Sequence, residues 1–146
     1  MNKYLKAINS VRVKGNGSTL DYENSVVLAQ ALYLEDDLEI ASILDECALN
    51  YINTQLFTQA VPHLRKAVCI VKKVYGPESV ELAQEQFKFC TVLFNSLNTD
   101  LQYETEMMFE LDSTIKLFET LKNSDTEFDL VELIEMRRCI LFSKDT

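Results

Sequence analysis

The scarcity of chain-breaking residues constrains this sequence first: its 146 residues include three glycines and two prolines. A fold of many short strands needs a turn every eight to twelve residues or so, and turns draw on glycine and proline. Long helices need neither. All the glycines and one proline fall at two places, Gly15-Asn16-Gly17 and Gly76-Pro77, which mark two chain reversals. Hydrophobic residues make up 47% and aromatic residues 10%, enough apolar material to build a core. A single domain of this length buries about 68–70% of the surface that its unfolded chain exposes.

Apolar spacing predicts about six to seven helices. They cover roughly 2–14, 20–34, 37–54, 58–75, 78–97, 100–122 and 126–142. Val26, Val27, Ala29, Ala31 and Leu32 carry the apolar positions of the second. In the third, Ile40, Ala41, Leu44, Cys47, Ala48 and Tyr51 recur at spacings of three and four, which is one continuous face. Acidic Glu35-Asp36-Asp37 suits its opening turn, where negative charge meets the positive end of the helix dipole. The fourth runs through Ala60, Val61, Leu64, Ala67, Val68 and Val71. It is expected to stop at Gly76, a residue suited to the left-handed cap, followed by a proline that cannot continue a helix. Pro62 is placed near the start of that helix, where backbone N–H groups still lack intrahelical acceptors. Leu82, Ala83, Phe89, Cys90, Leu93 and Phe94 are the inward residues of the fifth, and Leu101, Met108, Leu111, Ile115 and Phe118 those of the sixth.

Shifting the chain by 42 residues superposes Ile40-Ala41 on Leu82-Ala83, Cys47-Ala48 on Phe89-Cys90, Tyr51-Ile52 on Leu93-Phe94 and Asn53 on Asn95. A period of that length marks stacked helical pairs. Residues 40–81, IASILDECALNYINTQLFTQAVPHLRKAVCIVKKVYGPESVE, resemble the long tetratricopeptide repeat of kinesin light chain-like proteins. The matching positions are Leu44, Ala48, Tyr51, Phe57, Ala60, Leu64, Ala67 and Tyr75-Gly76-Pro77. Three alanines there allow paired helices to approach closely, while leucine and tyrosine fill the space around the contact. The fold class that follows is all-α, antiparallel helical hairpins stacked as a short right-handed superhelix. Its expected organisation is a single domain over 1–146, with N-terminal helices in 1–36, one repeat in 37–77, a second in 78–122 and a capping helix in 123–146.

A narrower resemblance lies downstream. Val74 to Glu81, then Glu85-Gln86-Phe87-Lys88 with Leu93-Phe94-Asn95, and Glu132 to Leu141 are similar to the carboxy-terminal domain of the SET and MYND domain-containing (SMYD) methyltransferases. The resemblance implies a domain that packs beside a SET domain and helps to bound its substrate cleft. S-adenosylmethionine and zinc would belong to such a parent enzyme, because the sequence carries no SET motif, MYND zinc ligands or Cys-x-Cys-x-x-Cys. The chain itself is expected to be noncatalytic and without cofactor, an excised fragment or a short paralogue. The alternative is a free-standing tetratricopeptide adaptor that holds an extended peptide in its concave groove.

Charge narrows the partners. Fourteen Lys and Arg against 23 Asp and Glu give a net charge of -9, which repels phosphate backbones and anionic lipid surfaces. The expected partner is a protein or peptide, not nucleic acid or membrane. Residues 1–13 lack the continuous apolar stretch of a signal peptide, so a cytoplasmic or nuclear location is expected. Cys47, Cys69, Cys90 and Cys139 have no Cys-x-x-Cys pair and one histidine, His63, to help. No metal site is expected, and each cysteine is read as a small buried hydrophobe in an apolar stripe. His63 is read as a surface or hairpin-packing residue, Arg65-Lys66 and Lys72-Lys73 as a solvated face, and Met107-Met108-Phe109 as a triplet with Met108 inward.

In a tetratricopeptide stack the first helix of each pair lines the groove. Carried over by position, the wall comprises Asp45, Leu49 and Asn53, with Ser42, from one repeat and Gln84, Phe87, Lys88, Thr91 and Asn95 from the next. Asn53 and Asn95, one repeat apart, have amides able to hydrogen-bond an extended peptide. Related chaperone-binding repeats grip a terminal carboxylate with lysine and asparagine on these helices. Asp45 and Leu49 stand there instead and leave Lys88 as the cation, so the heat-shock chaperone tail is a doubtful ligand.

Overall fold

The computed structural model of the protein describes residues 19–33, 37–97, 101–121 and 127–144. The helix expected over 2–14, its Gly15-Asn16-Gly17 stop, Glu35-Asp36 and the break at Asn123-Ser124-Asp125 lie outside them. Among the described residues the fold is all-helical: α1 (Thr19–Leu32), α2 (Leu38–Asn53), α3 (Phe57–Tyr75), α4 (Val80–Ser96), a 3-10 turn (Leu101–Tyr103), α5 (Glu104–Leu121) and α6 (Glu127–Lys144). Each helix packs against the next, and α4 also reaches α6, as in a fold of repeated helical pairs. Among the described residues no helix is long and apolar enough to cross a membrane.

Local chemistry sets the boundaries. Asp37, in extended backbone, caps α2 by accepting the Glu39 N–H at 2.9 Å. This puts the acidic run's last residue where its charge meets unpaired backbone donors. Ser79 does the same for α4, accepting the Leu82 N–H at 3.1 Å and donating to the Gly76 carbonyl at 3.2 Å. Between α2 and α3 the chain reverses at Gln55, whose φ of 61° is left-handed. The turn closes when the Leu56 N–H reaches the Tyr51 carbonyl at 2.8 Å. Gly76 has a φ of 96° as the sequence led us to expect, but its ψ of 169° is extended, a combination that glycine alone adopts readily.

The 42-residue register is visible in burial. Ile40 and Ala41 on α2 and Leu82 and Ala83 on α4 are all buried, as are Cys47, Ala48, Phe89 and Cys90. Ala48, Ala60 and Ala67 are each 0% exposed, so the absence of a larger side chain is what sets the approach of α2 to α3 and of their neighbours. The register slips afterwards. A strict shift of Phe57 would start the next helix at residue 99, yet α5 starts at Glu104, directly after the 3-10 turn.

Several expectations are corrected. α3 begins at Phe57, making Pro62 its sixth residue, just past the first four positions that lack acceptors, so the proline forgoes a helical hydrogen bond. Cys69 and Cys139 are exposed, because one helical step of 100° carries each off the buried stripe; Cys47 and Cys90 are buried as expected. On α5 it is Met107, not Met108, that is fully buried, with Met108 half-buried and Phe109 71% exposed. Met107 lies one turn before Leu111 and so shares its face. Arg65 does more than face solvent: its guanidinium grips the Glu106 carboxylate of α5 through contacts of 2.6, 2.9 and 3.1 Å.

Candidate groove between equivalent helices

α2 and α4 both rest on α3, and between them opens a cavity of about 420 Å³. Six of the eight residues predicted for the groove line it: Asp45 and Leu49 from α2, and Phe87, Lys88, Thr91 and Asn95 from α4. Asn53 and Gln84 do not. Both are exposed, Asn53 as the last residue of α2 and Gln84 in the second turn of α4, and neither lines the cavity. Ser42, half-buried, also lies outside it.

The cavity's character is mainly apolar. Leu49 is 54% exposed, and Ile52, Phe57 and Phe87 are half-buried around it. Phe87 is braced from behind by Phe118, ring edge toward face with centroids 6.4 Å apart. Asn95 closes the polar side: its Nδ2 donates to the Thr91 carbonyl at 2.9 Å, which leaves the amide oxygen available to a ligand N–H. Thr91 in turn donates its hydroxyl to the Phe87 carbonyl at 2.9 Å.

At the other side stands a charge cluster that the sequence reading had only in part. Lys88 Nζ donates to Glu85 Oε1 at 2.9 Å and to Asp45 Oδ2 at 3.3 Å. Asp45 Oδ1 and Glu85 Oε2 are buried without a hydrogen-bond donor. One ammonium therefore serves two carboxylates. Burial first, and then Glu85 beside it, push the Asp45 carboxyl up to about 8, against the opposing pull of Lys88. Burial would lower Lys88, but the two carboxylates outweigh it and hold the ammonium above its usual range. Glu85 entered the sequence reading through the family resemblance and gave no sign of burial, since an acidic residue early in a helix reads as solvated; here it is 7% exposed.

A second polar cluster joins α1, α2 and α3. Glu23 Oε1 accepts from the Tyr51 hydroxyl at 2.6 Å and from the Cys47 thiol at 3.5 Å, and lies 2.7 Å from His63 Nε2. His63 is thus a packing residue, set edge-on to Tyr51 with centroids 5.7 Å apart. Burial alone would raise Glu23, but hydrogen bonds from Tyr51 and His63 and the positive charge that His63 carries when protonated hold it below the ordinary carboxylate range. A Cys–His–carboxylate set invites comparison with a nucleophile site, yet the carboxylate stands between the other two. The Cys47 thiol is fully buried and is pushed up to about 12 by burial and by Glu23, the reverse of what an attacking thiolate needs. The three ligand-type atoms lie within 4.8 Å of one another. The oxygen and nitrogen at 2.7 Å are nevertheless at hydrogen-bond separation, closer than the roughly 3.3 Å that two such ligands keep around tetrahedral zinc. In this arrangement the groups form a hydrogen-bonded knot between α1, α2 and α3.

No family model matches the chain. Over 109 residues, 73% of its length, the chain is 28% identical to protein-lysine N-methyltransferase SMYD4 of Gallus gallus. The match covers 14% of that protein, so the chain corresponds to a small part of the relative. It supports a SMYD-like helical region.

Proposed function

We propose that this chain is a protein-interaction module, a tetratricopeptide-like stack related to the carboxy-terminal domain of SMYD methyltransferases, whose groove between α2 and α4 holds an extended peptide. The groove carries the reading: an apolar cavity of about 420 Å³, open to solvent at Leu49 and edged by Asn95, offers both a side-chain pocket and a backbone-directed amide. The SMYD4 match supports the relation to a methyltransferase parent, and methyl transfer would then belong to other parts of such a protein. The exposed free thiols Cys69 and Cys139 suit a reducing compartment, the cytoplasm or nucleus.

The test is a peptide-array screen with the purified chain, repeated with Leu49→Asp. Leu49 is exposed, so the substitution leaves the core intact while placing a charge in the cavity. At least tenfold weaker binding to every selected peptide is expected. Equal binding by both proteins would place the peptide elsewhere and overturn the groove. Separately, incubation with radiolabelled S-adenosylmethionine and lysine-rich substrates is expected to give no transfer; labelled product would overturn the noncatalytic reading.

A further inference from the structure

The groove's charge is unbalanced in one direction. Of the residues lining the cavity, Lys88 is the one cation and is paired with Asp45, and Glu85 adds a second carboxylate through its contact with Lys88 at 2.9 Å. Lys88 is shared between the two, and one oxygen on each lacks a donor. Buried carboxylate oxygens are rarely left so unless something else supplies the donor. The rest of the chain repeats the sign, with a net charge of -9. A carboxylate-ended ligand meets repulsion here, while a basic one meets attraction that strengthens in the partly desolvated groove.

We propose that the occupant is an extended peptide bearing a large apolar side chain next to a lysine or arginine, the apolar group filling the space between Leu49, Ile52, Phe57 and Phe87 and the cation meeting Asp45 where it faces Lys88 and Glu85. This rests on the groove being a peptide site and adds the chemistry of the peptide. The apolar half is fixed by the cavity's lining. The cationic half is fixed by Asp45, whose side chain is 23% exposed: its Oδ1 is buried, so the cation meets the Oδ2 that Lys88 holds. Lys88 is 53% exposed on a flexible stem, able to swing aside and leave Asp45 to the incoming charge.

The experiment uses short capped peptides labelled with fluorescein, identical except for one central pair, read by fluorescence anisotropy with the full chain. The pairs are leucine–lysine, leucine–arginine, leucine–norleucine, leucine–glutamate and serine–lysine. Leucine–lysine and leucine–arginine are expected to bind best. Norleucine, which keeps the apolar stem and drops the charge, should bind about tenfold weaker, glutamate about a hundredfold weaker, and serine–lysine about tenfold weaker. Asp45→Asn should narrow the preference for lysine over norleucine to within about twofold without weakening the norleucine peptide. Norleucine or glutamate peptides that bind as tightly as lysine, with Leu49→Asp still abolishing binding, would overturn the basic partner and leave the groove as a peptide site. Binding of no peptide, or binding indifferent to Leu49→Asp, would overturn both.

Discussion

Two carboxylate clusters sit on opposite sides of α2 and reach opposite balances. On one side, Cys47 and Tyr51 of α2 meet Glu23 and His63, and one carboxylate oxygen of α1 collects hydrogen bonds from two other helices. On the other, Asp45 meets Glu85 and Lys88, and two carboxylates divide one cation with an oxygen of each left over. The same helix thus shows a polar cluster that is complete within the chain and one that is not. Completeness is what a purely structural cluster tends toward, because an unsatisfied buried group costs about 1–3 kcal/mol. The incomplete one borders the cavity, and that coincidence makes it the place to look for a partner.

The contrast can be broken by substitution. The largest effect is expected from Glu23→Ala, which strands the Tyr51 hydroxyl and leaves His63 unpaired. Because the Glu23 side chain is 36% exposed and water can replace part of what is lost, the loss should be about 1–2 kcal/mol, read as a lower denaturant midpoint. Glu23 is held below its ordinary value of 4.5, so its contribution is present above that pH and is lost as pH falls through the lower folded value. The deficit of the variant should therefore shrink as pH falls below 4.5. A variant as stable as the parent at neutral pH would mean that the knot ties nothing.

Asp45→Asn should act with the opposite sign. A carboxyl raised from 3.8 to about 8 favours the fold while neutral; that contribution is complete below about pH 4 and disappears as pH rises through 8. Parent and variant should match near pH 4, and by pH 9 the variant should be more stable by about 1 kcal/mol. Thermal melts across that range decide it, and a variant that is destabilised at pH 9 would show that Asp45 belongs with the complete cluster. A smaller, pH-independent change calibrates both. Gln55→Gly relieves a left-handed φ of 61° at the turn between the two helices that carry these clusters, and should add about 0.5–1 kcal/mol at every pH. The last comparison carries no stability change at all. In the native protein a thiol reagent should label Cys69 and Cys139 quickly and spare Cys47 and Cys90, so rapid labelling of Cys47 would show the knot to be open.

The sequence disclosed one of these clusters far better than the other. A shift of 42 residues already paired α2 with α4, and position within the repeat then placed Asp45, Leu49, Phe87, Lys88, Thr91 and Asn95 on facing walls. The helical stripe alone could not say where the cavity ends, so Gln84 and Asn53, in phase with the others, were carried past it. The burial of Glu85 escaped because burial of a charge depends on what lies across from it. Glu23 and His63 escaped for the same reason in stronger form: they stand 40 residues apart, and no spacing rule reports a contact made only when three helices come together. Cys69 and Met107 show the limit of apolar stripes, which fix a face to within one residue and leave its edges open.

The ion pairs also bear on shape. Arg65 with Glu106 and Asp45 with Lys88 are separated by 41 and 43 residues, each close to one repeat period, so each layer of the stack has a tie from one hairpin to the equivalent helix of the next. Both ties are partly exposed and individually weak, about 1 kcal/mol or less. Added salt slackens the two together. Packing at Ala48, Ala60 and Ala67 fixes how closely the helices lie, while the rim between α2 and α4 is bridged by a contact that ionic strength can loosen.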